Sequence, residues 1–288
     1  MKKIILPTLI MAVLAGLRAQ ADPTIVTNYI KIGNALVPEL TIDGVEGFQD
    51  TPLEPDSQWH VHDPARPQPP VITPGAQFSQ HANPPSDAIV LFDGKDLSQW
   101  RDKGNGGPAQ WRVEDGVMVS AKGDIETVQK FGDIQLHLEF REPILPPDRT
   151  GQGRGNSGVY FMGLYEVQVL DCYNAKTYAD GMTGALYGQH PPLANACRPP
   201  GEWSTYDIVF TAPRFDADGK VTSPAYVTVI LNGVVIQNHQ AYRGASNWRS
   251  LGSYSAHDAE LPLALQYHSN AVSFRNIWVR PAPVVNDP

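Results

Sequence analysis

The chain has 288 residues, long enough for one substantial hydrophobic core, and 42% of them are hydrophobic. Its 30 acidic residues outnumber its 22 basic ones, so the formal net charge at pH 7 is −8. This balance argues against nucleic acid or an anionic membrane surface as the partner, because both require clustered Lys and Arg. The 26 prolines and 25 glycines among short apolar runs are typical of an all-β protein with many turns.

Residues 1–21 have the pattern of an export signal. Two lysines form a basic start, residues 4–17 are apolar but short for a membrane helix, and residues 19–21 fit a small-x-small cleavage site. We therefore expect cleavage near Ala21 and a periplasmic or secreted mature chain, with an uncleaved anchor as the alternative. No other window is apolar enough to cross a membrane, so we expect no membrane span in the mature chain.

Residues 22–85 differ in composition from the rest of the chain. They contain eleven prolines and show no sustained period of 2 or 3.6 residues. We predict an extended N-terminal arm rich in polyproline II structure. Within it, His60 and His62 of the sequence WHVHD would share one face of an extended segment and could bind a metal, but a surface anchor is the preferred interpretation because no third ligand is evident.

Residues 86–283 are predicted to form one domain, followed by a short tail at residues 284–288. Asp115-Gly116 and Asn232-Gly233 each separate two strand-like runs and supply the positive φ angles of a two-residue hairpin turn. The sequences FGDIQLHLEF and LPLALQYH alternate apolar and polar residues, as strands with one buried face do. Short strands without a long amphipathic helix predict a β-sandwich of two antiparallel sheets.

The polar faces of three predicted strands carry residues suited to a binding site. If these strands adjoin in one sheet, they form a polar groove with aromatic flanks, and carboxylates, amides and aromatic faces are suited to sugars. The residues concerned are His137, Glu139, Glu166, Gln168, Gln266 and His268.

A strand with the sequence EVQVLD begins at Glu166. Strict alternation places Glu166 and Gln168 on one face, and a bulge near Leu170 would bring Asp171 to the same face. The spacing is similar to the acid-x-acid-x-x-acid strand of concanavalin-like retaining glycosidases, except that Gln168 stands at the central acid position.

The chain more closely resembles the 3-keto-disaccharide hydrolase family, a former domain-of-unknown-function family. The resemblance runs in order over nearly the whole domain and implies a concanavalin-like jelly roll. It also implies action on glycosides oxidised at C3, either by hydrolysis or by C2-proton abstraction and β-elimination followed by hydration. The motifs are LFDGKDLSQW, FGDIQLHLEF, RGNSGVYFMGLYEVQVLD, ALYGQHPPLANA with RPPGEWSTYDIVF, VTVILNGVVIQ and FRNIWVR.

The resemblance implies roles for four chemically active side chains. Glu166 or His268 would be the base, and Asp171 the acid or a metal ligand. Arg275 or a divalent ion would stabilise the enolate. Structural alternatives remain open: an ion pair of Glu166 with Arg275, a turn cap at Asp171, and a hydrogen-bonded core histidine at His268.

Three further side chains are expected to bind sugar hydroxyls, namely Asn156, Gln168 and Tyr187; Asn156 could instead belong to a turn. The sequence HSNAVSFRNI departs from the family pattern HGNPVRFRNI just before Arg275. We therefore expect that substrate details have changed in this chain.

Cys172 and Cys197 are the only cysteines. In an exported chain they are expected to form a disulfide, with two buried free thiols as the alternative. In the family these positions commonly hold Ser, which favours a local disulfide beside the site.

Two other functions remain in competition with a 3-keto-glycoside-cleaving enzyme. A lectin-like carbohydrate-binding module would need aromatics and amides but no converging titratable groups. An ordinary retaining glycosidase would need two carboxyl groups about 5–5.5 Å apart.

Overall fold

The computed structural model describes residues 22–282. The predicted signal peptide and the tail at residues 284–288 lie outside the described residues. Within them, the regular structure consists of strands and two 3₁₀ turns, Gly151–Gly153 and Ala179–Gly181. No helix in this part of the chain has the length and apolar character needed to cross a bilayer.

In residues 22–282, eighteen strands make up four antiparallel sheets. In chain order they are β1 (Ile25–Ile32), β2 (Ala35–Ile42), β3 (Val45–Gly47), β4 (Ile89–Phe92), β5 (Trp100–Asp102), β6 (Arg112–Glu114), β7 (Val117–Val119), β8 (Ile125–Phe131), β9 (Ile134–Arg141), β10 (Ser157–Phe161), β11 (Tyr165–Val169), β12 (Ser204–Thr211), β13 (Arg214–Phe215), β14 (Val221–Ser223), β15 (Tyr226–Leu231), β16 (Val234–Ala241), β17 (Leu261–Leu265) and β18 (Ser273–Pro281).

Two of these sheets form the sandwich of an all-β, concanavalin-like jelly roll, as predicted. One has five strands in the order β11-β10-β17-β8-β5. The other has eight, with the path β16-β15-β12-β9-β18-β7-β6 and β4 paired to β18. Apolar side chains from both sheets meet in one core, in which Phe161 of the smaller sheet stacks on Phe210 of the larger at 4.5 Å between ring centroids. The outer face of the five-stranded sheet is thereby free to carry polar residues.

The predicted hairpin turns are confirmed. Asp115-Gly116 joins β6 to β7, and Asn232-Gly233 joins β15 to β16. All four turn residues have positive φ, between 51° and 88°. These are the left-handed conformations that Asn, Asp and Gly accept most readily, which is why the dipeptides predicted the turns.

The N-terminal arm predicted over residues 22–85 is not confirmed as an extended segment. Its first part forms a separate antiparallel sheet, β1-β2-β3, with β1 paired to β2 along their whole length. The period-2 signal was weak there because both strands are mostly exposed or half-buried. Residues 48–88 form none of these strands. They lie against the sandwich, where Ile72 donates its backbone N–H to the Asn195 carbonyl at 2.9 Å.

His137 and Glu139 do not share a sheet with Glu166. They lie on β9 in the eight-stranded sheet, and both are fully buried. His137 bonds Asp207 at 2.7 Å and Glu139 accepts the Arg275 Nε at 2.7 Å, so both make structural contacts. The expectation of one common polar face was wrong for these two residues, because period-2 alternation does not say which sheet a strand joins.

Cys172 and Cys197 are buried free thiols, which is the alternative considered for them, and they lie close enough for each to shift the pKa of the other. Their proximity supports the disulfide prediction, since oxidation would close the loop between them and stabilise the fold by about 3 kcal/mol. For protein produced in an oxidising compartment, we expect titration of denatured, unreduced samples to detect no free thiol. Detection of two thiols per chain would contradict the disulfide.

Candidate active site

A cavity of about 470 Å³ lies on the outer face of the five-stranded sheet. Its volume is within the range of about 300–1,000 Å³ typical of small-molecule sites. We call this cavity the groove. Strands β10 and β11, the 3₁₀ turn before β10, the chain after β17 and two loops supply its polar and aromatic lining: Gln152, Asn156, Tyr160, Glu166, Gln168, Tyr178, Tyr187, Ser246, Asn247, Trp248, Gln266 and His268.

Alternation along β11 explains how Glu166 and Gln168 reach the groove. Tyr165, Val167 and Val169 point into the core, so the two polar residues between them face outward. The backbone of Glu166 is held on both sides: its N–H donates to the Ser246 hydroxyl at 3.0 Å, and its carbonyl accepts the Tyr242 hydroxyl at 3.1 Å. The carboxyl group is therefore built on a rigid support.

Glu166 is 3% exposed, and this burial raises its pKa to about 8. The hydroxyl of Tyr160, its cross-strand partner, donates a hydrogen bond that acts in the opposite direction. Gly158, also on β10, leaves room for this carboxyl group, because a Cβ there would overlap Glu166 Oε1. A carboxyl group with this pKa can both take and return a proton near neutral pH.

Three amide side chains form a connected polar floor. Gln152 Oε1 accepts hydrogen bonds from Gln168 Nε2 at 3.1 Å and from Asn156 Nδ2 at 3.2 Å. The other end of the Gln168 amide is fixed, because its Oε1 accepts the Val169 N–H at 3.1 Å. Amides oriented in this way can bind sugar hydroxyls without first having to be ordered.

Two tyrosine hydroxyls form a pair in the groove. Tyr178 and Tyr187 are 2.8 Å apart at their oxygens. Burial raises the pKa of both phenols, and the nearby charge of Glu166 raises them further, so both hydroxyls remain protonated at neutral pH. A pair of protonated hydroxyls near a carboxyl group can donate to an oxygen atom on which negative charge develops.

Two exposed side chains complete the groove. Trp248 is 48% exposed and offers an aromatic face on which a sugar ring can stack. His268 is exposed and lies between the groove and a neighbouring cavity, since it lines both. The strand predicted to reach His268 is shorter in the structure, because β17 ends at Leu265.

Asp171 and Arg275 do not line the groove. Asp171 forms an ion pair with Arg154. It also accepts the Tyr173 N–H at 3.1 Å, and this bond is the turn cap that was the structural alternative for Asp171. It follows the end of β11 without the expected bulge. Among residues 22–282, no three His, Cys, Asp or Glu side chains come together as metal ligands would, so the metal-ligand role considered for Asp171 has no partner residues.

Arg275 is on β18 of the opposite sheet, where it pairs with Glu139 and lies 3.9 Å above the Trp203 ring. Neither enolate stabilisation by Arg275 nor an ion pair between it and Glu166 fits this position. The tyrosine pair was partly missed from the sequence: Tyr187 was proposed, but Tyr178 lies in an irregular segment that offered no periodic signal.

A family model described as 3-keto-alpha-glucoside-1,2-lyase-like domain matches residues 87–280. The chain belongs to this family. Membership of the 3-keto-alpha-glucoside-1,2-lyase-like family makes it a carbohydrate-active protein, and the resemblance inferred from the six motifs is confirmed. The match covers every groove residue and begins after the predicted N-terminal arm.

Solved structures from Parabacteroides distasonis ATCC 8503 agree with this assignment. One, described as a "putative glycosyl hydrolase", is 49% identical, covers 75% of this chain and 93% of its own, and superposes with a TM-score of 0.67. A second of the same description is 23% identical, covers 68% and 94%, and has a TM-score of 0.50, which shows the shared fold. No curated protein matches the chain significantly.

Proposed function

We propose that the protein is an exported enzyme that cleaves 3-keto-glycosides in the groove by elimination across C1 and C2, followed by hydration. The observation that carries this proposal is one buried carboxyl group, Glu166, with a pKa of about 8 beside the paired hydroxyls of Tyr178 and Tyr187. A base of this strength and a set of hydroxyl donors are the two elements that enolate formation requires.

In the first step, the Glu166 carboxylate removes the proton from C2, which the C3 ketone acidifies. The C2–H electrons form the C2–C3 double bond of an enolate, and the charge moves to the C3 oxygen. We place this oxygen at the Tyr178–Tyr187 pair, whose hydroxyls can donate to it more strongly as its charge grows. Trp248 would stack on the sugar ring, and Asn156 and Gln168 would hold its hydroxyls.

In the second step, the enolate electrons form the C1–C2 double bond and expel the C1 substituent. His268 lies at the exposed side of the groove and would give a proton to the departing oxygen. Addition of water at C1 and return of a proton to C2, from Glu166, would complete a net hydrolysis. No full oxocarbenium ion is needed at any point.

The lining of the groove favours this route over an ordinary glycosidase. Among the described residues, Glu166 supplies the one carboxyl group that lines the groove, whereas retaining and inverting glycosidases need two. A purely lectin-like site would use an ionised carboxylate to accept sugar hydroxyls, whereas burial raises the pKa of Glu166 to about 8 and so disfavours its charged form.

The direct test is to incubate the purified mature protein with a 3-keto-disaccharide and with its unoxidised parent in heavy-oxygen water, and to follow both by mass spectrometry. Cleavage of the keto sugar alone, with heavy oxygen at C1 and, in a parallel incubation in deuterium oxide, deuterium at C2, would support the proposal. Cleavage of the parent sugar would indicate an ordinary glycosidase. Binding of either sugar without turnover would favour a lectin-like module.

The pH dependence should follow the pKa of Glu166. Because the base is the deprotonated form and burial raises the pKa to about 8, we expect kcat/KM to rise about tenfold per pH unit below pH 8 and to level off above it. The measurement is a kcat/KM profile from pH 5 to 9.5 with a 3-keto-glucoside. A profile that falls as pH rises through 8 would make Glu166 the acid instead.

A further inference from the structure

Residues 45–63 precede the family domain but are built into the fold beside the groove. We call them the brace. The brace folds back on itself: the Phe48 N–H donates to the His62 carbonyl at 2.8 Å, and a Cβ at Gly47 would overlap that same carbonyl. Val61 and His62 are fully buried. The brace is therefore a packed element and not a tether.

One end of the brace supports the loop that carries Trp248. The Phe48 ring is 3% exposed and meets the Trp248 ring edge to face, with 6.1 Å between centroids. Arg249 lies 4.1 Å above the same Phe48 ring and forms an ion pair with Asp50 at 2.7 Å. The aromatic platform of the groove thus depends on side chains from outside the family domain.

The other end places His62 behind the tyrosine pair. Its ring stacks on Tyr178 with 4.0 Å between centroids, and it lies 4.8 Å from Tyr187. A carboxylate also contacts His62: Asp180 Oδ2 accepts the His62 backbone N–H at 2.9 Å and lies 3.2 Å from the ring atom Nδ1. These contacts are shielded from solvent, because His62 and Asp180 are both 0% exposed.

Two further features indicate that the surrounding structure enforces the position of His62 beside Tyr178 and Asp180. His62 has a φ of 61°, a left-handed conformation that non-glycine residues adopt infrequently and that is retained where the surroundings enforce it. Burial by itself would raise the pKa of Asp180, but the neighbouring His62 and Arg66 hold it below its usual value, so the carboxylate remains ionised beneath the ring.

We propose that the brace is part of the substrate site and that His62 is a positioning residue, which orients the Tyr178 and Tyr187 hydroxyls towards the C3 oxygen of the sugar. This inference rests on the proposed function for the identity of that oxygen. Its physical basis is separate, since a ring packed against both phenols limits their rotation and fixes the direction in which the hydroxyl pair points.

The test uses the full mature chain with His62→Asn and His62→Phe. Asn suits the left-handed backbone but lacks the ring, whereas Phe keeps a ring stack without the contact between Nδ1 and Asp180. Both variants keep the backbone N–H bond to Asp180. The matched control is His239→Asn, because His239 also has a left-handed backbone, with a φ of 47°, and a ring stacked on a tyrosine, Tyr226, but lies on β16 of the opposite sheet, outside the groove. Thermal unfolding of each variant identifies those that fold.

We expect His62→Asn to lower kcat/KM for a 3-keto-glucoside about tenfold, and to have less than a twofold effect when Tyr187→Phe is already present. His239→Asn should match the wild type in both backgrounds. Such non-additivity distinguishes positioning of the hydroxyl pair from general destabilisation, which would act equally in both backgrounds. If the His62→Asn effect is the same size in the two backgrounds, the inference is wrong.

A second readout separates this inference from the proposed reaction. Methyl α-glucoside has no ketone, and its 3-hydroxyl would occupy the same place, so its binding can be followed by tryptophan fluorescence without turnover. Weaker binding in the His62 variants, and not in the control variant, would support the positioning role of His62 even if no 3-keto-glycoside were cleaved. Wild-type affinity and kcat/KM in a folded His62 variant would overturn it, and a wild-type protein that neither binds nor cleaves would overturn both proposals.

Discussion

Replacement of Glu166 by Gln is expected to lower kcat for a 3-keto-glucoside by about a thousandfold, the middle of the range for removal of a general base. Glutamine has the same shape and can still accept the hydrogen bond from Tyr160, so the groove should remain intact. It cannot accept the C2 proton. We therefore expect KM to change little and deuterium exchange at C2 in heavy water to disappear together with cleavage.

The matched control for this variant is Glu126→Gln. Glu126 lies on β8 of the same sheet and pairs with Arg101 at 2.6 Å, outside the groove. A partly exposed ion pair of this kind contributes little to stability, so wild-type kinetics are expected. If Glu166→Gln keeps more than a tenth of the wild-type kcat, another group must take the C2 proton, and His268 is the one to test next.

The sequence predicted the sandwich well because local signals specify its strands and turns. The turn dipeptides at Asp115 and Asn232 and the alternation along β9 are short-range features of the sequence. The structure has the two hairpins and the strand that they predict. The same signals placed Glu166 and Gln168 together on the outer face of β11. They could not assign strands to sheets. His137 and Glu139 were therefore considered for the same polar face as Glu166, but they are found in the other sheet.

Residues that act through long-range packing were the ones missed. Arg275 belongs to a motif shared with the family, but a motif does not reveal on which side of the sandwich its side chain lies. His62 was interpreted as part of a surface anchor, because its segment is rich in proline and lacks periodicity. Its contacts with Tyr178 and Asp180 span more than a hundred residues, so no local pattern could indicate them.

Gly158→Ala is expected to lower kcat/KM by about a hundredfold, although it adds a single methyl group to a strand. A Cβ at Gly158 would overlap Glu166 Oε1 and would lie 3.0 Å from Glu166 Cδ and 2.8 Å from the Tyr160 ring. Tyr160 is fixed across the strand pair, so the carboxyl group must move. Displacement of a reacting group by about 1 Å typically costs about a hundredfold in rate.

This variant separates the position of the Glu166 carboxyl group from its chemistry, because the carboxyl group is retained. In this variant kcat/KM should still rise with pH, but it should level off below pH 8. A carboxyl group pushed towards solvent loses part of the burial that raises its pKa. Gly75→Ala is the control, as no atom lies within 4 Å of a Cβ at that position. Wild-type kcat/KM in a folded Gly158→Ala protein would mean that catalysis tolerates movement of Glu166, and the assignment of this carboxyl group as the base would then fail.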